Sequence, residues 1–338
     1  MTRLYTVVTT IQEPTPSMVR LAERLRAAGS PLVVVGDRKG PARFELPGAA
    51  LHDLASQGKL PFRLAPLAPV GHYSRKNLGY LVAIQAGAGC LYETDDDNAP
   101  LDGWAPRALE VKGARALRAD RWCNVYASFS KELVWPRGLP LDRIRGGAEG
   151  RPAGTVDLAA PIQQGLADGS PDVDAVWRLV VEKDVRFDPG APVALEPFTW
   201  CPFNSQSTWW WPEAFPLLYL PSHCTFRMTD IWRSFVAQRC LWAMGRRLVF
   251  HGAEVLQERN LHRLIHDFRD EVPGYLGNDE IVERLAALKL EEGPAALPGN
   301  VTRCYQALVE GRFVGEAELP LLAAWLEDVA AARAGAAR

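Results

Sequence analysis

"GCLYETDDDNAP", residues 89–100, is the stretch from which the fold class is read. Cys90 to Glu93 read as a short buried strand, and the chain then sets Asp95, Asp96 and Asp97 side by side. Two unit charges ~4 Å apart repel by about 4 kcal/mol at an effective dielectric near 20. Three adjacent carboxylates at a strand end therefore need water, a basic partner or a cation. Immediately upstream, "SRKNLGYLVAIQAG" (74–87) reads as a helix. Further out, "YTVVTT" (5–10) is an apolar strand ending in hydroxyls, and "PSMVRLAERLRAAG" (16–29) is a helix stopped by Gly29. "PLVVVGD" (31–37) is a buried strand, followed by a short helix near 48–57 and a strand around 61–65. Alternating units with apolar, β-branched strands imply an α/β fold with a mostly parallel central sheet flanked by helices. Ligands of such sheets sit beyond the carboxyl ends of the strands. Thr9, Thr10, Asp37 and the acidic triplet all fall at such ends, on one rim.

Downstream, residues 137–172 are rich in Gly, Pro, Arg and Asp and read as a long, mobile surface excursion. "TDIWRSFVAQRCLWAMG" (229–245) is a strong helix and "RRLVFHG" (246–252) a strand. From about 260 the pattern is helical, closing with an Ala-rich segment at 316–334. There is no internal repeat. The net charge of −2 over 338 residues excludes general attraction to nucleic acid or anionic membrane. No apolar run approaches the ~20 residues of a membrane span, and the N-terminus enters a strand with no room for a signal peptide. Six scattered cysteines show no zinc-ligand spacing and read as reduced thiols. The expectation is a cytoplasmic protein.

In extended geometry Asp95 and Asp97 share a face and Asp96 points away. Two carboxylates, with ligand phosphates and water, fit Mg²⁺ or Mn²⁺; the alternative is a solvated acidic turn. Asp37 and Arg38 follow a Gly that permits a tight exit, where an acid can accept from a ribose hydroxyl or a base N–H; the alternative is a surface turn. Ser74 can cap a helix whose first turn holds Arg75 and Lys76. Cations there suit a bound phosphate, or are simply solvated. Thr229 reads as an N-cap, with Asp230 either supporting the helix end or acting as a general base and Arg233 beside it at i+3. His251 is either a buried hydrogen-bonded histidine or a third metal ligand. "PFNSQSTWWW" (202–211) combines amides, hydroxyls and aromatic faces, the materials of a sugar site, though most of its tryptophans suit a core.

"VVTTIQEPT", "VVVGDRKGP", "SRKNLGYLVAIQAGAGCLYETDDDN", "GSPDVDAVWRL", "CPFNSQSTWW", "FRMTDIWRSFVAQRCLW" and "FHGAEVLQERN" together resemble the STELLO glycosyltransferase-like family. More distantly they resemble the UDP-arabinopyranose mutases, or reversibly glycosylated polypeptides. The resemblance runs in order from about residue 5 to residue 275. It implies a glycosyltransferase A-type (nucleotide-diphospho-sugar transferase) fold over 1–275, with residues 276–338 left as a helical C-terminal extension. It also implies a nucleotide-sugar donor, with UDP favoured, and Mn²⁺ or Mg²⁺ at the Asp95–Asp97 motif. The leading expectation is sugar transfer to a glycan or glycolipid acceptor. Asp95, Asp97 and His251 would serve the metal, Thr9, Thr10, Asp37, Arg38, Lys76 and Asp96 the nucleotide, and Asp230 the proton transfer. A nucleotide-sugar mutase and a non-catalytic scaffold peripheral to membrane enzymes of polysaccharide synthesis are the alternatives. Asp172 and Asp174 sit on a loop able to close over donor or acceptor.

Overall fold

The structure is a computed structural model describing residues 3–41, 43–259 and 263–336. The chain opens with β1 (Leu4–Thr10), α1 (Pro16–Ala27), β2 (Leu32–Gly36), β3 (Ala49–His52) and α2 (Leu54–Gln57). Then come α3 (Lys76–Gln85), β4 (Cys90–Thr94), β5 (Asn98–Pro100), β6 (Glu110–Arg118), β7 (Arg151–Ala159) and β8 (Ile162–Gly169). The second half carries α4 (Ala175–Val180), β9 (Val193–Leu195), β10 (Ser207–Trp210), α5 (Thr229–Ala243) and β11 (Val249–Gln257). It closes with α6 (Leu264–Ala287), α7 (Leu297–Glu310) and α8 (Glu318–Ala336).

The described strands join in one sheet of order β3-β2-β1-β4-β10-β8-β11-β9-β6-β7, with β5 added beside β11. The first four strands in that order pair in parallel, in keeping with the apolar runs of β1 and β2. The remainder is mixed. β10 lies antiparallel between β4 and β8, β8 and β11 are parallel, and β6 joins β9 in parallel but β7 antiparallel. The sheet is therefore half antiparallel, not mostly parallel. The strand order reverses direction between β1 and β4, and the crevice of an open α/β sheet forms at such a switch point.

α3 lies directly on β1 and β2. A Cβ at Gly79 would come within 2.6 Å of Val7 and Val35 side-chain carbons, so only glycine allows this approach. Segment 137–172 is ordered where a mobile loop was expected, because β7 and β8 occupy it. The stretch 61–65 forms turns and no strand. The expected boundary at 275 falls inside α6, a continuous 24-residue helix. α7 and α8 share one hydrophobic core with α3 and α5, through Leu81, Phe235, Val301, Trp325 and their neighbours. All six cysteines are free thiols. No described helix is long and apolar enough to cross a membrane.

Candidate active site

Two cavities adjoin at the carboxyl ends of β1 and β4. The outer one, of about 980 Å³, is lined by Thr9, Thr10, Gly36, Asp37, Arg38, Gly71 and Asp96, among others. The inner one, of about 230 Å³, is lined by all three triplet aspartates, Asn204, Ser205, Gln206 and Asp230, and by Arg137, Arg178, Arg227 and Arg259. Thr9, Tyr73, Asp96 and Phe226 line both. Phe226 is half exposed and packs edge-on against Tyr73, at 4.7 Å between centroids.

The triplet is a turn, closed by the Asn98 N–H donating to the Asp95 carbonyl at 3.3 Å. Strand alternation therefore does not apply, and the expected sharing of a face has no basis in an extended backbone. The turn nevertheless sends Asp96 a separate way. Thr10 Oγ1 donates to Asp96 Oδ2 at 2.6 Å, and the Thr15 hydroxyl, while capping α1, also donates to the Asp96 carbonyl. Asp97 accepts from Gln257 Nε2 at 3.0 Å, which joins β11 to the triplet. Asp95 receives the Lys76 ammonium at 3.1 Å. Burial pushes the Asp95 carboxyl up to about 7 against the pull of Lys76, and the charges of Asp97 and Asp96 add to that push. Its side chain keeps 39% of its surface open at the cleft, so water screens part of the effect.

Lys76 does not offer its charge to an open phosphate site. It is fully buried, donating to the Thr94 carbonyl at 2.7 Å and the Ser205 carbonyl at 3.4 Å as well as to Asp95. Arg75 is equally committed, to Gln57 Oε1 and the Ala68 carbonyl. The expectation of phosphate-binding or solvated cations at this helix start is corrected on both counts: Lys76 ties the helix to the end of β4, and Arg75 ties it to α2 and the turn at Ala68. Asp37 lines the outer cavity, and its carboxylate accepts from the N–H groups of Gly71 and His72 at 2.9–3.0 Å. It thereby shapes the loop that walls the cavity. Arg38 is exposed at the cavity edge.

His251 lies away from the triplet. It stands six residues before Gln257 along β11, about 20 Å at strand rise, and Gln163 Oε1 faces its Nε2 at 2.9 Å. Burial, aided by the charge of Arg107, holds it well below its ordinary range, as a neutral core histidine. Its expected metal role is corrected accordingly. Among the described residues no group of three or more His, Cys, Asp or Glu side chains is set to hold a metal unaided. The triplet still fits a hard cation in one respect. It supplies crowded oxygen donors at a cleft, and Mg²⁺-type sites commonly take one or two carboxylates and complete themselves with substrate phosphate and water.

Asp230 sits in the first turn of α5, with Met228 and not Thr229 at the N-cap position. Its carboxylate accepts from Arg137 Nη1 and Nη2 at 3.1 and 3.0 Å and from the Ser205 N–H at 3.2 Å. Burial raises its pKa, but the charge and hydrogen bonds of Arg137 outweigh that, helped by Arg233 and Arg227, and hold it at about 2. Arg137 also grips Asp172 in a two-pronged bridge of 2.7 and 2.8 Å. The expected pairing of Arg233 with Asp230 gives way to a different ion pair. Arg233 meets Glu93 at 2.8 Å in the dry core, where Tyr80 and Trp210 also donate to that carboxylate. This pair locks α5 to β4 and so fixes Asp230 relative to the triplet. Asp174 caps α4 and accepts from Trp135 Nε1, which makes it a structural residue. Trp209, Trp210 and Trp211 are all core, whereas Asn204, Ser205 and Gln206 do reach the cavity.

Sequence reasoning missed Arg137, Arg178, Arg227, Arg259, Tyr73 and Phe226. Arg137 lies in a stretch with no local sign of a cleft, whereas Arg178 lies in the segment GSPDVDAVWRL, of which only the aspartates stand out. Phe226 and Arg227 lie inside the segment FRMTDIWRSFVAQRCLW and Arg259 inside FHGAEVLQERN, but a basic or aromatic side chain there carries no sign of facing a cleft.

The crevice at the switch point thus sets acidic, hydroxyl and amide groups beside a larger outer cavity. Residues 227–334 match the model of the family described as STELLO glycosyltransferases. The chain is similar to the probable glycosyltransferase STELLO2 of Arabidopsis thaliana, 29% identical over 97% of this chain and 45% of the relative. It is likewise similar to the probable glycosyltransferase STELLO1 of the same plant, 29% identical over 98% of this chain and 44% of the relative. The resemblance expected from the sequence is thus borne out. The chain spans less than half the length of these curated relatives.

Proposed function

We propose that this chain is a glycosyltransferase of A-type architecture that moves a sugar from a nucleoside-diphosphate sugar, with UDP favoured, to a glycan-type acceptor. One observation carries the reading: the acidic turn sits where the outer cavity meets the inner one, with Asp96 lining both. The outer cavity suits the nucleoside, with Asp37, Arg38, Thr9 and Thr10 along its walls. The inner cavity suits the transferred sugar and the acceptor, offering Asn204, Ser205 and Gln206 as hydrogen-bonding partners and Phe226 as an apolar face. Asp95 and Asp97 would hold Mn²⁺ or Mg²⁺, which when bound neutralises the diphosphate leaving group. Lys76 keeps the triplet anchored from below while its carboxylates face the cleft. Asp230, held ionised by Arg137, orients an acceptor hydroxyl. Its low pKa makes it a weak proton acceptor for as long as that pairing lasts.

Calorimetry with UDP in Mn²⁺ and in chelator tests the reading. Tighter binding with metal is expected, with the gain abolished in the double variant Asp95→Ala, Asp97→Ala. Equal affinities would remove the metal from the reading. Incubation with a panel of nucleotide sugars should give metal-dependent hydrolysis; isomerisation of the sugar would point to a mutase.

A further inference from the structure

The inner cavity contains one charge that the proposed transfer leaves unused. Arg178, from α4, is 7% exposed. Its Nη1 donates to Ser170 Oγ at 2.6 Å and its Nη2 to the Pro171 carbonyl at 2.7 Å, both neutral acceptors. Its Nε is buried without a hydrogen-bond partner, and among the described residues no carboxylate forms an ion pair with it. The other cavity arginines differ. Arg137 is held by Asp172 and Asp230, Arg227 by Glu271 at 2.8 Å, and Arg259 by Asp267 at 2.7 Å. A buried charge with no carboxylate bonded to it directly is costly, and one that lines a cavity is compensated when an anion enters. Burial lowers the Arg178 pKa to about 10, and the charge of Arg259 and then that of Arg227 push the same way, while Asp172 and Glu271, each already bridged to another arginine, push against them. The three cations therefore share one neighbourhood.

We propose that Arg178, flanked by Arg227 and Arg259, is an oxyanion subsite that takes a phosphate or carboxylate group carried by the acceptor. The acceptor class is then an anionic saccharide, either a phosphorylated sugar or an acidic one. This assignment rests on the reading of the two cavities as a transferase cleft. The three arginines line the inner cavity and not the outer one, which places them with the acceptor and away from the nucleoside. A guanidinium fork matches both kinds of oxyanion in two-pronged geometry.

Titration calorimetry on the full chain tests this with inorganic phosphate, with glucuronate, and separately with UDP plus Mn²⁺. The unaltered protein should bind at least one of the two oxyanions without nucleotide or metal. Arg178→Gln should weaken that binding tenfold or more while changing UDP–Mn²⁺ affinity less than threefold. Preference for phosphate marks a phosphorylated acceptor, and preference for glucuronate an acidic sugar. Should Arg178→Gln fail to fold, Arg259→Gln serves instead, with a severalfold loss of oxyanion binding expected. The proposal is overturned if neither oxyanion binds, if the variant binds it as well as the parent, or if UDP affinity falls in step, since the arginine then serves the donor. Oxyanion binding without any UDP binding would overturn the transferase reading and the acceptor assignment with it, leaving only an anion site.

Discussion

Asp95 and Asp230 line the same small cavity, and burial pushes both carboxyls in the same direction, yet they end far apart. Asp95 rises to about 7 and Asp230 falls to about 2. The difference lies in their partners. Asp95 has one ammonium, which it shares with two backbone carbonyls, and two like charges beside it in the turn. Asp230 has a guanidinium bonded to both its oxygens and a backbone N–H, with two further arginines near. Depth in the protein thus says little about a carboxyl until its donors are counted. Asp95 thus rests on a single shared ammonium, whereas the Asp230 carboxylate is already satisfied.

Four experiments can break or sharpen this contrast. The largest effect should come from Arg137→Met, which leaves Asp172 and Asp230 buried without their shared cation. Urea unfolding should show a loss of about 3–5 kcal/mol, and an unchanged midpoint would mean that Arg137 is not what holds Asp230 down. Next, Asp230→Asn should lower turnover by ~10² if the carboxylate takes the acceptor's proton. A fall of less than tenfold at unchanged donor affinity would confine it to orienting the hydroxyl.

Third, pH should separate the two aspartates in the protein alone. Asp95 has its folded pKa above the unfolded value, so its contribution is present below about pH 4 and is lost as pH rises through about 7. Asp230 has the reverse shift, so its contribution is present above about pH 4 and is lost as pH falls toward about 2. Denaturation midpoints across pH should flatten on the neutral side in Asp95→Asn and on the acid side in Asp230→Asn. The same slopes in parent and variants would refute both assignments. The smallest effect belongs to Thr10→Val, which removes the hydrogen bond to Asp96. A cost of about 1 kcal/mol is expected, with nucleotide affinity lowered severalfold. Unaltered nucleotide binding would show that the turn keeps its shape without Thr10.

The parallel part of the sheet was legible because β1, β2 and β4 are buried on both faces and leave apolar runs in the sequence. The acidic turn was legible as a rim feature because it closes such a run. β7 escaped notice for the opposite reason. It is an edge strand paired only with β6, and its Gly, Pro and Thr side chains are mostly exposed, so no periodicity marks it. β8 is hidden differently. Gln163 and Gln164 are buried and polar, and their amides are satisfied by carbonyls and by Asn204, partners that no local pattern reveals. Lys76 shows the limit on the site. A cation opening a helix looks the same in sequence whether it faces a phosphate or a neighbouring carboxylate, and only the placement of the α3 start beside the end of β4 decides. Arg137 is placed in the cleft by Asp172, Arg227 and Asp230, all distant in sequence, whereas Arg178 is held by Ser170 and Pro171 just upstream.

The continuity of α6 through residue 275 bears on how such a chain can be inherited. On one side of that point Glu271 accepts from the Ala175 N–H and from Arg227. On the other, Asn278 accepts from Trp232 and donates to the Gly138 carbonyl. A recombination breakpoint there would split the helix and part Asn278 from Trp232 of α5 and from the Gly138 turn. The second half of α6 is therefore not detachable from the first: a chain that exchanges it must also replace what holds Trp232 and the Gly138 turn.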